Sequence, residues 1–106
     1  MSKRYKLVVY VPETHADAVR EAMGGAGAGR IGNYTHCTFT VRGTGRFRPE
    51  AGAKPAVGEV GGLEAVAEER IETVCEADVL RPVLDAIRQA HPYEEPATDV
   101  YPIEVI

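Results

Sequence analysis

Apolar and polar side chains alternate along several segments of this 106-residue chain, and two other segments repeat apolar residues at helical spacing. Two-residue alternation is typical of a β-strand with one buried face. It predicts strands over residues 5–11, 34–42 and 97–105. In residues 34–42 the pattern directs Cys37, Phe39 and Val41 toward the core. Pro102 cannot donate a backbone hydrogen bond, which predicts an edge position for the last strand.

Two segments have one apolar stripe each, which predicts helices that pack on a sheet. The first helix is expected to begin at Thr14, which with Asp17 matches a capping box, and to end at the glycines from Gly24 onward. The second follows cap candidates in residues 76–78 and ends near His91. The stripe residues are Val19, Ala22, Met23 and Ala26 in the first helix, and Leu80, Val83, Leu84 and Ile87 in the second.

Residues 63–75 fit two patterns at once. Leu63, Val66 and Val74 belong to a helical repeat, and the Glu and Ala content of the segment favours a helix. Thr73 and Cys75 belong to a strand alternation, and glycines supply a bend before the segment. A strand over residues 65–75 would pair with the preceding strand as a hairpin. The periodicity alone leaves both alternatives open.

Residues 27–32, Gly-Ala-Gly-Arg-Ile-Gly, match the G-x-G-x-x-G dinucleotide fingerprint letter for letter. That fingerprint functions after a strand and at the start of a helix, because the pyrophosphate lies at the helix N-terminus. Here the glycines close a helix and lead into a strand. We therefore predict that these glycines form a helix C-cap and a tight turn whose residues have positive φ. Anion binding by backbone N–H groups and Arg30 is the alternative.

Residues 43–62 are rich in glycine and proline and show no clear periodicity. Such a long irregular segment in a small domain is usually functional or ordered by a partner. Its arginines, with neighbouring basic residues, suit a small anionic ligand such as a phosphate or carboxylate. A solvated hairpin and an arm that embraces a second subunit are the alternatives. The predicted ligand-binding residues are Arg30, Arg42, Arg46, Arg48 and Lys54.

Residues 91–97, His-Pro-Tyr-Glu-Glu-Pro-Ala, cannot continue a helix because Pro92 and Pro96 restrict the backbone. Between these prolines Tyr93 is the candidate anchor of a subunit interface. No histidine of the chain has a second histidine or a cysteine at helical spacing, so no local metal motif of that kind is present. The fold could still gather a divalent-metal site, for which the candidates are His36, His91, Glu94 and Glu95. A packed turn with solvated carboxylates is the alternative.

Composition narrows the class of protein. The chain is 44% hydrophobic and 26% charged, which suits one soluble domain spanning residues 1–106. The net charge of −4 does not indicate the basic surface that nucleic-acid binding requires. No apolar run is long enough for a membrane span. We expect a cytoplasmic protein, because the N-terminus shows no cleavage site. Cys37 and Cys75 are expected to be reduced, buried thiols.

The predicted order is strand, helix, strand, strand, helix, strand, which is the order of the ferredoxin-like α+β fold. Residues 27–34, 43–49, 68–72 and 91–97 resemble the YqfO-like domain of the dinuclear-metal-centre hexameric protein family. That domain is in turn similar to PII-like and CutA-like proteins. The resemblance favours the strand over residues 65–75. It also implies that the metal centre of the family is carried by segments flanking this domain.

The likeness to PII-like and CutA-like proteins implies a homotrimer. A sheet with helices on one face leaves the other face uncovered, and Val8, Tyr10 and Val100 are expected there. No catalytic constellation is evident, so we expect a non-enzymatic PII/CutA-like binding or regulatory module with no certain cofactor. A divalent-metal-binding protein of CutA type and a purely structural assembly module are the alternatives.

Overall fold

The computed structural model describes residues 3–104 and contains four strands and two α-helices. Each helix follows a strand through one short 3-10 turn. This is the order that the sequence predicts, and the strand over residues 65–75 is confirmed. The elements are β1 (Arg4–Pro12), α1 (Ala16–Gly25), β2 (Phe39–Phe47), β3 (Glu64–Glu76), α2 (Leu80–Ala90) and β4 (Ala97–Ile103). Val105, at the end of the predicted last strand, lies outside the described residues.

The four strands form one antiparallel sheet in the order β2-β3-β1-β4. The two long central strands pair from Arg4 opposite Glu76 to Pro12 opposite Glu68. The strand β4 lies at one edge, as Pro102 predicts, and β2 lies at the other. The predicted ferredoxin-like α+β fold is therefore confirmed.

Both helices pack on one face of the sheet and enclose the core. Leu7, Val9 and Val11 of β1 are fully buried there, with Ile71 of the neighbouring strand. Fully burying one such side chain stabilises the fold by about 1.5–3 kcal/mol. The helices contribute the stripes that their spacing predicts, including Val19, Met23, Val83 and Ile87.

The second strand differs from its prediction in both position and orientation. It begins at Phe39 rather than at residue 34, because the preceding loop bonds to β3: Gly29 N–H donates to the Val74 carbonyl at 2.7 Å. Cys37 belongs to that loop and is only half-buried. Phe39 and Val41 are 66% and 49% exposed. Their register partners lie on the face away from the helices, so the predicted core orientation is wrong.

The starts of the helices also differ from the predictions. No side chain caps α1 or α2, and each begins after a 3-10 turn, Glu13–His15 and Ala77–Val79 respectively. The Thr14 hydroxyl lies 2.9 Å from His15 Nδ1 instead of bonding to the helix backbone. The predicted capping box is therefore wrong. The glycine run does end α1, and Gly27, Gly29 and Gly32 have positive φ as expected.

The sheet face away from the helices is called the open face below. Val8 and Tyr10 lie on it, as predicted, whereas Val100 pairs with Leu7 and therefore lies on the helix side. Val8 is fully buried although it lies outside the core cluster. The guanidinium of Arg70 lies 5.8 Å from the centre of the Tyr10 ring. Within residues 3–104, no helix is long and apolar enough to cross a membrane.

Candidate functional site

A cavity of about 360 Å³ lies where the open face meets the two irregular segments of the chain. One wall is formed by the end of β2 and by the residues that follow it, 48–63, which we call the arm. The opposite wall is the turn after α2, residues 91–96, which we call the turn. The lining residues are Tyr10, Gly45, Arg46, Phe47, Arg48, Pro49, Glu50, Ala53, Pro55, Ala56, Val57, Glu68, Tyr93, Glu94, Glu95 and Ala97.

Glu68 is the buried polar residue of this cavity. It lies on β3 and is only 9% exposed. Its Oε2 accepts a 2.9 Å hydrogen bond from the Tyr93 hydroxyl. The carboxylate packs against Gly45 of β2 and occupies the position that a Cβ of this residue would take. Gly45 therefore provides the space that the carboxylate occupies at the cavity wall.

The turn is held in place by His91. This residue is 5% exposed; its Nε2 lies 2.7 Å from the Tyr10 carbonyl, and its Nδ1 accepts from Tyr93 N–H at 3.1 Å. Nε2 must therefore carry the proton, and the ring is neutral. Burial lowers the pKa of His91, although the Tyr10 carbonyl and the Glu68 charge act in the opposite direction. Neutral His91 thus fixes the position of Tyr93.

Tyr93 packs against its own chain. Its ring meets Phe47 edge-on with 5.6 Å between ring centres, and it lies 5.1 Å from the His91 ring. Burial raises the pKa of Tyr93, and the hydrogen bond to Glu68 raises it further, so the phenol remains a donor at neutral pH. The interface role predicted for Tyr93, Pro92 and Pro96 stays a prediction.

The arm is shorter than predicted, because residues 43–47 belong to β2. It is tied at its base, where Gly61 N–H donates to the Pro49 carbonyl at 2.8 Å, and Pro49 is buried. It is also tied to the turn, since Lys54 N–H donates to Glu94 Oε1 at 3.0 Å. Two segments distant in sequence are thus joined around one cavity.

The predicted anion-binding residues separate into groups. Arg46 and Arg48 both line the cavity and are exposed at its edge. Arg42 lines an adjoining depression of about 230 Å³, which shares Tyr10, Gly45 and Glu68 with the cavity. Lys54 contributes its backbone N–H at the arm, and Arg30 is an exposed residue that lines neither space. Only Arg46 and Arg48 meet at the cavity itself.

The candidate metal ligands are not brought together within one chain. His36 lies beside α1, with its Nε2 3.8 Å from Glu21 Oε1, whereas His91 is at the turn. Glu94 and Glu95 both line the cavity. In the part of the chain that the structure describes, no group of three or more His, Cys, Asp or Glu residues is placed to hold a metal. Metal binding stays a prediction.

Sequence reasoning missed Glu68 and Gly45. Glu68 is one of several glutamates in β3, and its spacing gives no sign of burial. The signal that could have found it is the pair Gly43 and Gly45 within a strand, since glycine in a strand marks a close approach by another group. Glu68 pairs with Gly43 in the sheet register, and its carboxylate reaches along β2 to Gly45, where it makes that close approach.

The relatives of the chain are found among longer proteins. No protein-family profile matches it. A GTP cyclohydrolase 1 type 2 homolog of Halalkalibacterium halodurans is 56% identical over 99 residues, which are 93% of this chain and 27% of that protein. The chain thus spans about a quarter of the length of the curated relatives that it matches. The resemblance to the YqfO-like domain is confirmed.

Solved structures agree with the sequence match. A Bacillus cereus protein related to NIF3 superposes with a TM-score of 0.85 at 52% identity, covering 98% of this chain and 26% of that one. The divalent cation tolerance protein CutA of Archaeoglobus fulgidus superposes with a TM-score of 0.69 at 17% identity, covering 96% of this chain and 85% of that one. The second likeness shows the fold alone, which is PII/CutA-like.

Proposed function

We propose that this chain, a homologue of one segment of the GTP cyclohydrolase 1 type 2 homologs, is a self-associating binding module with no catalytic role of its own. The observation that carries the proposal is the cavity between the arm, the turn and the open face. Its volume falls within the range typical of small-molecule sites, and apolar side chains with a few polar groups line it. Ligand binding is the use that this arrangement supports best.

The absence of a catalytic role rests on the side chains that line the cavity. They include no Ser, Thr, Cys, Lys or His, and the groups among them that could act as acid or base are four glutamates and two tyrosines. Glu68 is engaged by the Tyr93 hydroxyl, and Glu94 by the Lys54 backbone. These contacts position the walls of a binding site.

Arg46 and Arg48 are placed to bind the anionic part of a small ligand at the edge of the cavity. Guanidinium groups pair well with phosphate and carboxylate, and glycine near them lets the ligand approach the backbone. Pyrophosphate and ATP are suitable probes. Either should raise the Tm by mass action, by the equivalent of about 2.7 kcal/mol at a hundredfold excess over Kd.

The matched variants decide whether that effect is specific. Arg46→Ala with Arg48→Ala should abolish the Tm shift. Arg30→Ala with Arg88→Ala removes the same charge from two exposed residues that do not line the cavity, and should preserve it. If neither probe shifts the Tm, or if both double variants lose the shift equally, anion binding at the cavity edge is wrong.

Self-association is proposed because the open face exposes large apolar side chains at its rims. Phe39 and Val41 lie on β2, and Tyr101 lies on β4 at the opposite edge. Exposed apolar patches and unpaired edges are usually covered by a partner. The likeness to PII-like and CutA-like proteins implies a homotrimer. Light scattering at micromolar concentration should give three chains, and the mass of a single chain would contradict the proposal.

Divalent-metal binding is a second proposal that comes from the sequence. Glu94 and Glu95 line the cavity, but Glu94 accepts from Lys54 N–H, and His91 would have to leave both the Tyr10 carbonyl and Tyr93 N–H to bind a metal. Metal analysis of the protein as isolated tests it, with Glu94→Gln and Glu95→Gln as variants. If no metal, anion or other small ligand binds, a purely structural assembly module is the hypothesis that remains.

A further inference from the structure

We propose that the cavity recognises a donor nitrogen group of its ligand, an amine, amidine or amino-heterocycle, through Oε1 of Glu68. This inference rests on the proposed binding function for its site and adds the chemistry of the ligand. It concerns the interior of the cavity, whereas the anion prediction concerns Arg46 and Arg48 at its edge.

The two oxygens of Glu68 differ in their surroundings. Oε2 accepts the hydrogen bond from Tyr93, while no hydrogen bond to Oε1 is found within residues 3–104. A carboxylate has acceptor positions on both oxygens, and a nearly buried one is costly unless they are used. Oε1 keeps some accessible surface, so solvent or a ligand can reach it. It is therefore available to a donor that enters the cavity.

Gly45 makes room for this oxygen at the cavity wall. Of the atoms that a Cβ at Gly45 would meet, Glu68 Oε1 is the nearest. A glycine in the middle of β2 gives up strand propensity, which is consistent with a requirement for space at this point. Glu68 borders both the cavity and the adjoining depression.

The charges and the apolar walls favour a cationic or donor group over an anion in the interior. Four glutamates line the cavity, against two arginines; Glu68 is nearly buried, whereas the other three glutamates and both arginines are exposed. An anion placed near the buried Glu68 would be repelled, whereas a protonated nitrogen would gain a charge-assisted hydrogen bond. The edge-on pair of Phe47 and Tyr93 offers aromatic surface to a flat ligand body.

Benzamidine is a suitable probe because it joins a flat apolar ring to a cationic amidine that can bond a carboxylate. Benzoate is the matched control, with the same ring and an anionic group. In NMR titrations of the full chain, benzamidine should shift the backbone amide signals of Gly45, Glu68 and Tyr93 in a saturable way. Benzoate should not shift the Glu68 and Tyr93 signals, and a shift of Gly45 alone would report binding at the neighbouring Arg46. Equal or stronger binding of benzoate at these residues, or no saturable shift with benzamidine, would overturn the proposal.

Two variants test the atoms involved. Glu68→Gln keeps an acceptor for Tyr93 but removes the charge, and should weaken benzamidine binding about tenfold or more. Gly45→Ala would displace the carboxylate from its position and should have a similar effect, whereas Gly43→Ala, whose Cβ would meet nothing within 4 Å, should not. Unchanged binding in folded Glu68→Gln would exclude this site. If a variant fails to fold, the comparison of the two probes on the unaltered chain still decides.

The arginine variants separate this proposal from anion binding. Arg46→Ala with Arg48→Ala should abolish the effect of pyrophosphate and leave that of benzamidine. If pyrophosphate has no effect but benzamidine binds as described, anion binding fails and nitrogen recognition stands. If the double variant loses benzamidine binding while Glu68→Gln keeps it, nitrogen recognition by Glu68 is wrong.

Discussion

The Tyr93 hydroxyl donates a 2.9 Å hydrogen bond to Oε2 of Glu68, across 25 positions of sequence. This contact joins the turn after α2 to the middle of the sheet. The phenol remains protonated because burial and the carboxylate both raise the pKa of Tyr93. The bond thus fixes one wall of the cavity to another at neutral pH.

Replacing Tyr93 with phenylalanine should therefore destabilise the protein. The change removes one donor from a nearly buried carboxylate and should lower the free energy of unfolding by about 1–3 kcal/mol. Urea denaturation measures it. Tyr101→Phe is the control, because Tyr101 is exposed and should change stability by no more than about 0.5 kcal/mol. Equal effects of the two substitutions would show that the hydrogen bond contributes nothing.

Stability should depend on pH through His91. Burial lowers its pKa in the folded state, and the neighbouring His15 adds to this, against the Tyr10 carbonyl and Glu68. The unfolded chain therefore binds the proton at higher pH than the folded one. The contribution of neutral His91 is complete above its unfolded pKa of about 6.5 and is lost as the pH falls toward the folded value.

Urea midpoints measured between neutral and mildly acidic pH test this expectation. They should fall more steeply with acidification in the unaltered chain than in His91→Gln. His36→Gln replaces an exposed histidine that does not act on the pKa of His91, and should keep the steep dependence. A slope that is unchanged in His91→Gln would assign the pH dependence to other groups.

Two glycines of β2 should differ in their tolerance of alanine. A Cβ at Gly45 would overlap the Glu68 carboxylate, whereas a Cβ at Gly43 would meet nothing within 4 Å. Gly45→Ala should displace Glu68 from Tyr93 and destabilise the fold by about 1–3 kcal/mol. Gly43→Ala should be neutral or slightly stabilising, because it reduces the entropy of the unfolded chain. Thermal unfolding compares them, and a neutral Gly45→Ala would contradict the assigned packing.

Charges on the open face should disrupt self-association without unfolding the chain. Phe39→Asp with Val41→Asp replaces two exposed side chains, so the monomer loses little packing. The double variant should have the mass of one chain in light scattering and a circular dichroism spectrum like that of the parent. Tyr34→Asp alters an exposed aromatic residue outside the sheet and is the control. An unchanged mass in the double variant would place the subunit contacts elsewhere.

The periodicity of the sequence predicted every main element except β3, and much of the core. Strand β1 and the helix stripes were predictable because their periodicity is local. Their apolar faces all pack into the one core between the sheet and the helices. The glycines after α1 were predictable because positive φ requires them. Residues 65–75 needed the family resemblance, since their side chains fit two periods equally well.

Only the tertiary structure decided which face of β2 is buried and where the cavity lies. Alternation separates the two faces of a strand but does not say which one the helices cover, so Phe39 and Val41 were assigned to the wrong side. The pairing of Glu68 with Tyr93 depends on a sheet register and a turn that are far apart in the chain. A buried carboxylate is recognised by its surroundings, and those are assembled only when the chain has folded.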